Sequence, residues 1–280
     1  MPKSVIDFLK KNLSTIIDIV CPKCCLSCGM DIGFCQKKSI AIDTFFCKEC
    51  RRDIFTINQN NCCKKCGYPF EPIRTNKGHA IQSINNLKNQ KIICQSCHTI
   101  HFFFEKAQSC FQYQGKIRKL LLNFKFYFQT EIVDFIGTSL MTLYKNMTPA
   151  DIVCVIPITR SKLFFKGYNH SALMAKAFYK HVKRQNNNIL FLPDLLVKTK
   201  ASTQSKTLTQ QERWLKKHNF TINKKYLTDK WKTKLQNQTI LIIDDIMTTG
   251  STLNSASFVL KQNFYNTKIN CLTFARTMLY

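Results

Sequence analysis

The sequence predicts an α/β protein in which a cysteine-rich module precedes a parallel sheet covered by helices. Up to residue 97 the cysteines recur as C-x-x-C pairs, and beyond residue 107 apolar runs of strand length alternate with amphipathic stretches of helix length. Such alternation is typical of parallel strands joined by helical crossovers. We therefore expect three regions: a helix over 1–20, the cysteine-rich module over 21–106 and the α/β domain over 107–280.

The first region has the pattern of an amphipathic helix. Apolar residues recur at helical spacing with polar residues opposite them: Val5, Ile6, Leu9, Leu13, Ile16, Ile17 and Val20. Charged residues interrupt this pattern and no small-residue cleavage site follows, which argues against a signal peptide. No apolar run reaches the roughly 18 residues of a membrane-spanning helix, so we expect a soluble protein whose first helix docks on the rest of the chain.

The second region has the cysteine spacing of two zinc ribbons. The interval from Cys28 to Cys47 falls within the roughly 15–20 residues typical of a four-cysteine site, and the interval from Cys66 to Cys94 is longer by a polar insert. A glycine follows the first pair of each half, where the turn that aims both sulfurs at one ion favours a positive φ. The sequence therefore predicts two closed, structural zinc sites: Cys25, Cys28, Cys47 and Cys50, and Cys63, Cys66, Cys94 and Cys97.

Other ligand sets remain open at this point. Cys21 and Cys24 also form a C-x-x-C pair, Cys35 and Cys62 lie nearby, and His98 and His101 are alternative ligands. The isolated cysteines of the third region lie in apolar segments, so we expect them to be small buried hydrophobic residues: Cys110, Cys154 and Cys271.

The third region is expected to alternate strands and helices. Its first strand is predicted over 107–114, and helices are predicted over 115–124 and 129–145. A near-continuous apolar run over 151–158 predicts a buried strand, and helical spacing over 169–184 predicts the next helix. The remaining elements are a strand over 239–243, a helix over 251–262 and a strand over 268–274.

The stretch I-L-I-I-D-D-I-M-T-T-G-S-T, residues 240–252, has the pattern of a phosphate-binding loop. Backbone N–H groups and hydroxyls of M-T-T-G-S-T can converge on an anion at the start of the following helix. Asp244 and Asp245 lie at the distance of one ribose from that anion, where carboxylates can accept hydrogen bonds from sugar hydroxyls. A nucleotide P-loop is excluded because no G-x-x-x-x-G-K-[ST] occurs. The pattern favours a ribose 5-phosphate.

This stretch closely resembles the 5-phosphoribosyl-1-pyrophosphate (PRPP) motif of type I phosphoribosyltransferases at all its positions. The resemblance extends over nearly the whole chain to the ComF family, which joins a zinc module to a phosphoribosyltransferase-like domain. It implies a type I phosphoribosyltransferase fold in which Asp244 and Asp245 bind the ribose and act in catalysis. It also implies that Mg²⁺ accompanies PRPP, and that the 5′-phosphate lies on Met247, Thr248, Thr249, Gly250, Ser251 and Thr252.

Two further segments match the same family. Pro157 and the following R-S-K-L-F-F-K-G-Y-N-H resemble its pyrophosphate segment, with Lys162, Lys166 and Gly167 in matching places. T-Q-S-K-T-L-T-Q-Q-E-R resembles its flexible loop and implies a binding role for Arg213. The chain departs from the family pattern at His170, at Lys216 and at two basic positions that are Phe164 and Phe165, which bears on catalysis more than on binding.

The charge of the chain indicates an anionic partner. The formal net charge is +26, from 42 Lys and Arg residues against 16 Asp and Glu residues. Either this charge is a solvated lysine coat or it attracts a polyanion. Aromatic residues interleaved with lysines predict stacking on single-stranded DNA: Phe102, Phe103, Phe104, Phe111, Tyr113, Phe124, Phe126, Tyr127 and Phe128.

Three functions follow from these expectations. By resemblance, the first is a cytoplasmic PRPP-binding protein that handles single-stranded DNA entering during natural transformation, together with the DNA-uptake machinery. The second is an active phosphoribosyltransferase that acts on a nucleobase or an amine, for which the sequence shows no acceptor pocket. The third is a zinc-ribbon scaffold without catalysis.

Overall fold

The computed structural model describes residues 24–32, 41–70, 93–126, 130–185, 188–199 and 219–278. The predicted helix over 1–20, Cys21, Cys35, and Arg213 with the rest of its loop lie outside the described residues. The chain divides into two compact units. The smaller unit contains the described residues up to Phe55 together with Gln114–Phe135, and the larger unit contains Thr56–Tyr113 and the described residues from Ile136 onward.

The described residues form nine α-helices, one short 3-10 helix (Lys224–Tyr226) and seven strands. The helices are α1 (Ala41–Phe45), α2 (Lys48–Arg51), α3 (Gln95–Thr99), α4 (Gly115–Phe126), α5 (Thr130–Tyr144), α6 (Arg160–Lys166), α7 (His170–Lys183), α8 (Asp229–Leu235) and α9 (Ser251–Asn263). The strands are β1 (Lys106–Gln112), β2 (Ile152–Val155), β3 (Leu190–Phe191), β4 (Leu196–Lys198), β5 (Phe220–Ile222), β6 (Thr239–Met247) and β7 (Lys268–Arg276).

A five-stranded parallel sheet forms the centre of the larger unit. The strand order is β1-β7-β6-β2-β3, and every neighbouring pair is parallel. Strand β6 lies in the middle, where Ile240 to Ile243 are completely buried, as expected of a parallel strand covered on both faces. The predicted α/β fold class with a parallel sheet is confirmed. Strands β4 and β5, which the sequence did not predict, form a separate antiparallel pair.

Strand β6 continues four residues beyond its predicted end at Ile243. Asp244, Ile246 and Met247 keep the register with β7, opposite Thr273, Ala275 and Arg276. The two aspartates therefore lie within a paired strand, although their charge predicted that the strand ends before them. Strand β2 is shorter than its predicted range over 151–158, and it ends two residues before Pro157, which has no N–H to donate to a neighbouring strand.

The sheet core also contains two of the isolated cysteines. Cys154 on β2 and Cys271 on β7 are completely buried, as predicted for small hydrophobic residues. Burial raises the pKa of the Cys154 thiol to about 12 and raises that of Cys271 as well, which disfavours the reactive thiolate form. Within the described ranges, no helix is both long enough and apolar enough to cross a membrane.

Candidate functional site

The carboxyl ends of β2 and β6 lie side by side in the sheet. Val155 is paired with Ile243, and the Ile156 N–H donates to the Ile243 carbonyl at 3.2 Å. In open parallel sheets this edge is where ligands bind, because the loops after neighbouring strands meet there. The segment Pro157–Asn169 after β2 and the loop after β6 are therefore neighbours. This arrangement follows from the strand order, which the sequence alone did not determine.

The segment after β2 is organised by three capping residues. Thr159 caps α6 by accepting a hydrogen bond from the Lys162 N–H, and Gly167 ends this helix at a φ of +74°. Asn169 then caps α7, accepting from the Ser171 N–H at 3.1 Å and donating to the Ile156 carbonyl at 3.0 Å. Helix α6 thus presents Lys162 and Lys166 to solvent, and Gly167 is also exposed. This exposure suits these residues for contact with an anion.

Asp244 is the buried carboxylate of the site. It is only 8% exposed, and its Oδ1 accepts hydrogen bonds from the Ser171 hydroxyl and from the Asp245 N–H, both at 2.9 Å. The half-buried Asp245 accepts from the Ile246 N–H at 2.7 Å. Each carboxylate is held by the backbone of the next residue, and Ser171 joins Asp244 to the first turn of α7. The sequence pattern did not reveal Ser171, because it lies 73 positions from Asp244.

The loop of Thr248–Thr252, which we call the phosphate loop, leads into α9. Thr248 and Thr249 are exposed, and Gly250 begins the helix in the left-handed region with a φ of +83°. A Cβ on Gly250 would lie 2.7 Å from Met247 Cε and 3.1 Å from Phe102 Cε1, so this glycine is required by both its conformation and its surroundings. Met247 is buried beneath the loop, Ser251 is buried and Thr252 is half-buried. The exposed hydroxyls and the helix start suit an anion.

Lys198 at the end of β4 is a site residue that the sequence did not indicate. Burial lowers its pKa, the charge of Lys162 lowers it further, and the negative charge of Asp244 partly opposes both effects. Lys198 therefore lies within electrostatic range of Asp244 and Lys162. A short strand of three residues offers no periodicity from which this position could have been found.

The first cysteine set is brought together in the smaller unit. The sulfurs of Cys25, Cys28, Cys47 and Cys50 lie within 4.8 Å of one another, and Cys28 Sγ is 3.7 Å from Cys47 Sγ. A tetrahedral zinc site with Zn–S bonds of about 2.3 Å has sulfur–sulfur edges of about 3.8 Å. These four residues can hold a metal ion of this kind.

The second set, Cys63, Cys66, Cys94 and Cys97, lies in the larger unit and has the same dimensions. Cys63 Sγ is 3.7 Å from Cys97 Sγ, and Cys66 Sγ is 3.6 Å from Cys94 Sγ. Hydrogen bonds from the Cys66 and Cys97 thiols lower the pKa of Cys63, and the bond to Cys63 raises the pKa of Cys66 to about 12. The four sulfurs lie close enough together for one divalent cation to bind them all. The donor set fits zinc.

The two sets are built on the same turn. Cys25 N–H donates to the Met30 carbonyl and Gly29 N–H to the Cys25 carbonyl, and Cys63 and Gly67 repeat both bonds. Gly29 and Gly67 have φ values of +74° and +70°, in agreement with the glycine on which the predicted cysteine register rested. Within the described residues, the cysteines and histidines that were alternative ligands belong to neither set: Cys24, Cys62, His98 and His101.

Four of the nine aromatic residues predicted to stack on DNA are unavailable for it, and the side chains of Phe126, Tyr127 and Phe128 lie outside the described part of the structure. Phe102, Phe104, Phe111 and Phe124 are at most 5% exposed, so the prediction is wrong for these four. Lysines that neighbour these rings in the sequence extend to solvent, whereas the rings themselves are buried in the core. Among the residues whose side chains are described, the exposed phenylalanines are instead Phe164 and Phe165 on α6, at 87% and 85% exposure.

No protein-family model matches the chain, and neither does any curated protein. Among solved structures, the chain is similar to a hypoxanthine phosphoribosyltransferase from Staphylococcus aureus, with 21% sequence identity and a TM-score of 0.26. The alignment covers 50% of this chain and 61% of that enzyme, so the chain spans less than two thirds of the enzyme's length. A likeness at this level carries no information on what the chain binds.

Proposed function

We propose that the larger unit binds PRPP at the carboxyl ends of β2 and β6. The observation that carries this proposal is the buried Asp244, which is held by Ser171 at the start of one helix and followed four residues later by the phosphate loop at the start of another. A carboxylate that accepts fixed hydrogen bonds is preorganised to accept others from sugar hydroxyls. The loop beside it suits the 5-phosphate of the same sugar.

In this proposal each part of PRPP has its own set of residues. Asp244 and Asp245 bind the ribose hydroxyls, and the segment from Met247 to Thr252 binds the 5-phosphate. Lys162, Lys166, Gly167 and Lys198 surround the pyrophosphate, and Arg213 contributes from the loop that resembles the family's flexible loop. Mg²⁺, when bound with PRPP, neutralises the pyrophosphate. The carboxylates also stabilise positive charge that develops at the anomeric carbon if the pyrophosphate leaves.

We also propose that both cysteine sets hold zinc. Four sulfur ligands close the coordination shell and leave no position for substrate or water, so these sites stabilise the fold and take no part in chemistry. Their sulfur separations support this assignment.

The test is a calorimetric titration of the zinc-loaded chain with PRPP and Mg²⁺, with pyrophosphate assayed in the same samples. We expect PRPP to bind to the zinc-loaded chain. Pyrophosphate that appears only with a nucleobase or an amine identifies an active phosphoribosyltransferase. Binding without pyrophosphate identifies a sensor. Absence of binding refutes the proposal and leaves a zinc-ribbon scaffold.

Single-stranded DNA is the second proposed partner, at α6. Phe164 and Phe165 extend into solvent with their ring centroids 5.9 Å apart, and the charged residues of this helix are all basic: Arg160, Lys162 and Lys166. Exposed rings beside cations suit bases stacked along a phosphate backbone. This surface supports the role that the resemblance to the ComF family implies, a cytoplasmic protein that handles incoming single-stranded DNA with the DNA-uptake machinery.

The DNA proposal predicts that Phe164→Ala with Phe165→Ala weakens binding of a fluorescent oligothymidine by about 10-fold or more, since each stacked base contributes roughly 1–3 kcal/mol. Tyr265→Ala is the matched control, because Tyr265 is a 77% exposed aromatic residue outside α6. The double variant should keep the salt dependence of binding, because no charge is removed. Equal affinities of wild type and double variant at low salt would contradict the proposal.

A further inference from the structure

The second cysteine set is packed into the larger unit through the segment that follows it. Helix α3 begins directly after Cys94 and contains Cys97. The segment that follows this helix contacts α9 through the backbone of His101 and Phe103. Cys63, Cys66 and Phe102 belong to the same buried cluster as Met247 and Leu253. The metal ligands and the phosphate loop therefore share one core.

Asn254 makes the first connection. It is completely buried on α9, one turn after Gly250, at a helix-interior position where asparagine is intrinsically unfavourable. Its Oδ1 accepts from the Phe103 N–H at 2.6 Å, and its Nδ2 donates to the His101 carbonyl at 3.0 Å. Both halves of the amide are thus used to hold the segment after Cys97 on the helix that carries the phosphate loop. A buried amide with no such partners would be costly.

Arg276 and Phe102 make two further connections. The Arg276 guanidinium is buried, and its Nη1 donates to the carbonyl of the ligand residue Cys66 at 2.7 Å and lies 2.9 Å from Met247 Sδ. Phe102 lies against Gly250, close enough that a Cβ there would meet its ring. Met247 therefore contacts an arginine that also binds a residue of the second cysteine set, and Gly250 contacts a residue of the segment that follows this set.

We propose that metal binding at Cys63, Cys66, Cys94 and Cys97 and anion binding at the phosphate loop strengthen each other through Asn254, Arg276 and Phe102. The inference rests on the proposed function, since PRPP is the anion considered. Without a metal ion that joins the four sulfurs, α3 and residues 101–104 are held less firmly, and the support beneath Met247 and Gly250 loosens. Because binding at coupled sites is thermodynamically linked, bound PRPP must raise the affinity of the second cysteine set for the metal ion by the same factor.

The first experiment uses zinc release by the full chain. Zinc is withdrawn from the wild type and from Cys28→Ser, which lacks one ligand of the first set, and the released metal is followed with a coloured indicator. We expect saturating PRPP with Mg²⁺ to lower the fraction of zinc that the second cysteine set has lost at equilibrium. The decrease should correspond to a rise in zinc affinity of between about 5-fold and 150-fold. Inorganic pyrophosphate with Mg²⁺ is the control for chelation by the added ligand itself.

The second experiment tests the connection directly. Asn254→Ala should raise the Kd for PRPP, and PRPP should reduce zinc release from this variant less than it does from the wild type. The number of zinc ions bound per chain should stay at the wild-type value. Asn263→Ala is the matched control, because Asn263 lies on the same helix and donates only to the Val259 carbonyl within it. A circular dichroism spectrum establishes whether Asn254→Ala is folded, and the wild-type zinc experiment is decisive if it is not.

The outcomes separate this inference from the proposed function. PRPP that fails to bind the zinc-loaded wild type refutes the proposed function and the inference together. PRPP that binds but leaves second-site zinc affinity unchanged refutes the inference alone. A larger loss of PRPP affinity in Cys28→Ser than in Cys97→Ser also overturns it, because the first set lies in the other unit.

Discussion

Replacing Asp244 and Asp245 together by asparagine should abolish measurable PRPP binding. The double variant removes two charged acceptors, and hydrogen bonds to charged groups contribute about 1.5–3 kcal/mol each. Their combined loss corresponds to a rise in Kd of about 100-fold or more. Calorimetric titration with PRPP and Mg²⁺ measures the effect, and Asp134→Asn with Asp229→Asn, two exposed residues outside the site, is the control of equal charge change.

Pyrophosphate distinguishes a lost sugar site from a damaged fold. Because the substitutions remove negative charge from a site that contains Lys162 and Lys198, affinity for Mg²⁺-pyrophosphate should be equal to or greater than that of the wild type. PRPP affinity that is unchanged in the double variant would mean that the aspartates serve only the structure. A parallel loss of pyrophosphate binding would point to a general collapse of the site.

Replacing Gly67 by alanine should destabilise the larger unit much more than replacing Gly29 by alanine destabilises the smaller one. Both glycines occupy the same position of the same turn, at φ values of +70° and +74°, so both substitutions incur about 1–2 kcal/mol of left-handed backbone strain. A Cβ on Gly67 would also lie 2.7 Å from the Ala107 carbonyl oxygen, whereas one on Gly29 has no atom within 4 Å among the described residues. Overpacking of this kind adds about 1–3 kcal/mol.

The comparison is best made by hydrogen exchange at the β1 amides with zinc present. The Ala107 N–H donates to the Lys65 carbonyl at 2.8 Å, so a displaced turn should expose it and its neighbours to exchange. Gly29→Ala serves as the control for strain alone. Similar exchange rates at β1 in both variants would show that a Cβ at residue 67 does not displace this strand.

Local sequence patterns were sufficient to predict the buried strand β6 and the register of the cysteines. Ile240 to Ile243 are apolar without interruption because the strand is covered on both faces, so a buried parallel strand was recognisable from four residues. Gly29 and Gly67 indicated the cysteine register because only one register places a glycine at the left-handed position of the turn. Both features depend on residues that are neighbours in the chain.

Contacts between distant residues were decided only by the tertiary structure. The continuation of β6 through Asp244 to Met247 depends on pairing with β7, which outweighs the low strand preference of aspartate. Ser171 joins the site through its hydrogen bond to Asp244, and Lys198 lies within electrostatic range of the same carboxylate. No local sequence motif marks either residue. The burial of the four phenylalanines was likewise invisible in a segment rich in lysine.

The sequence by itself therefore determined the fold class, the two sets of cysteines and the position of the phosphate loop, since each is written in short-range spacing. The tertiary structure alone decided that the second cysteine set lies in the same buried core as Met247 and Leu253, which flank that loop. Arg276 reaches the Cys66 carbonyl across 210 positions of sequence and Asn254 reaches His101 across 153. Such contacts arise when the folded core brings remote segments together, and no local periodicity encodes them.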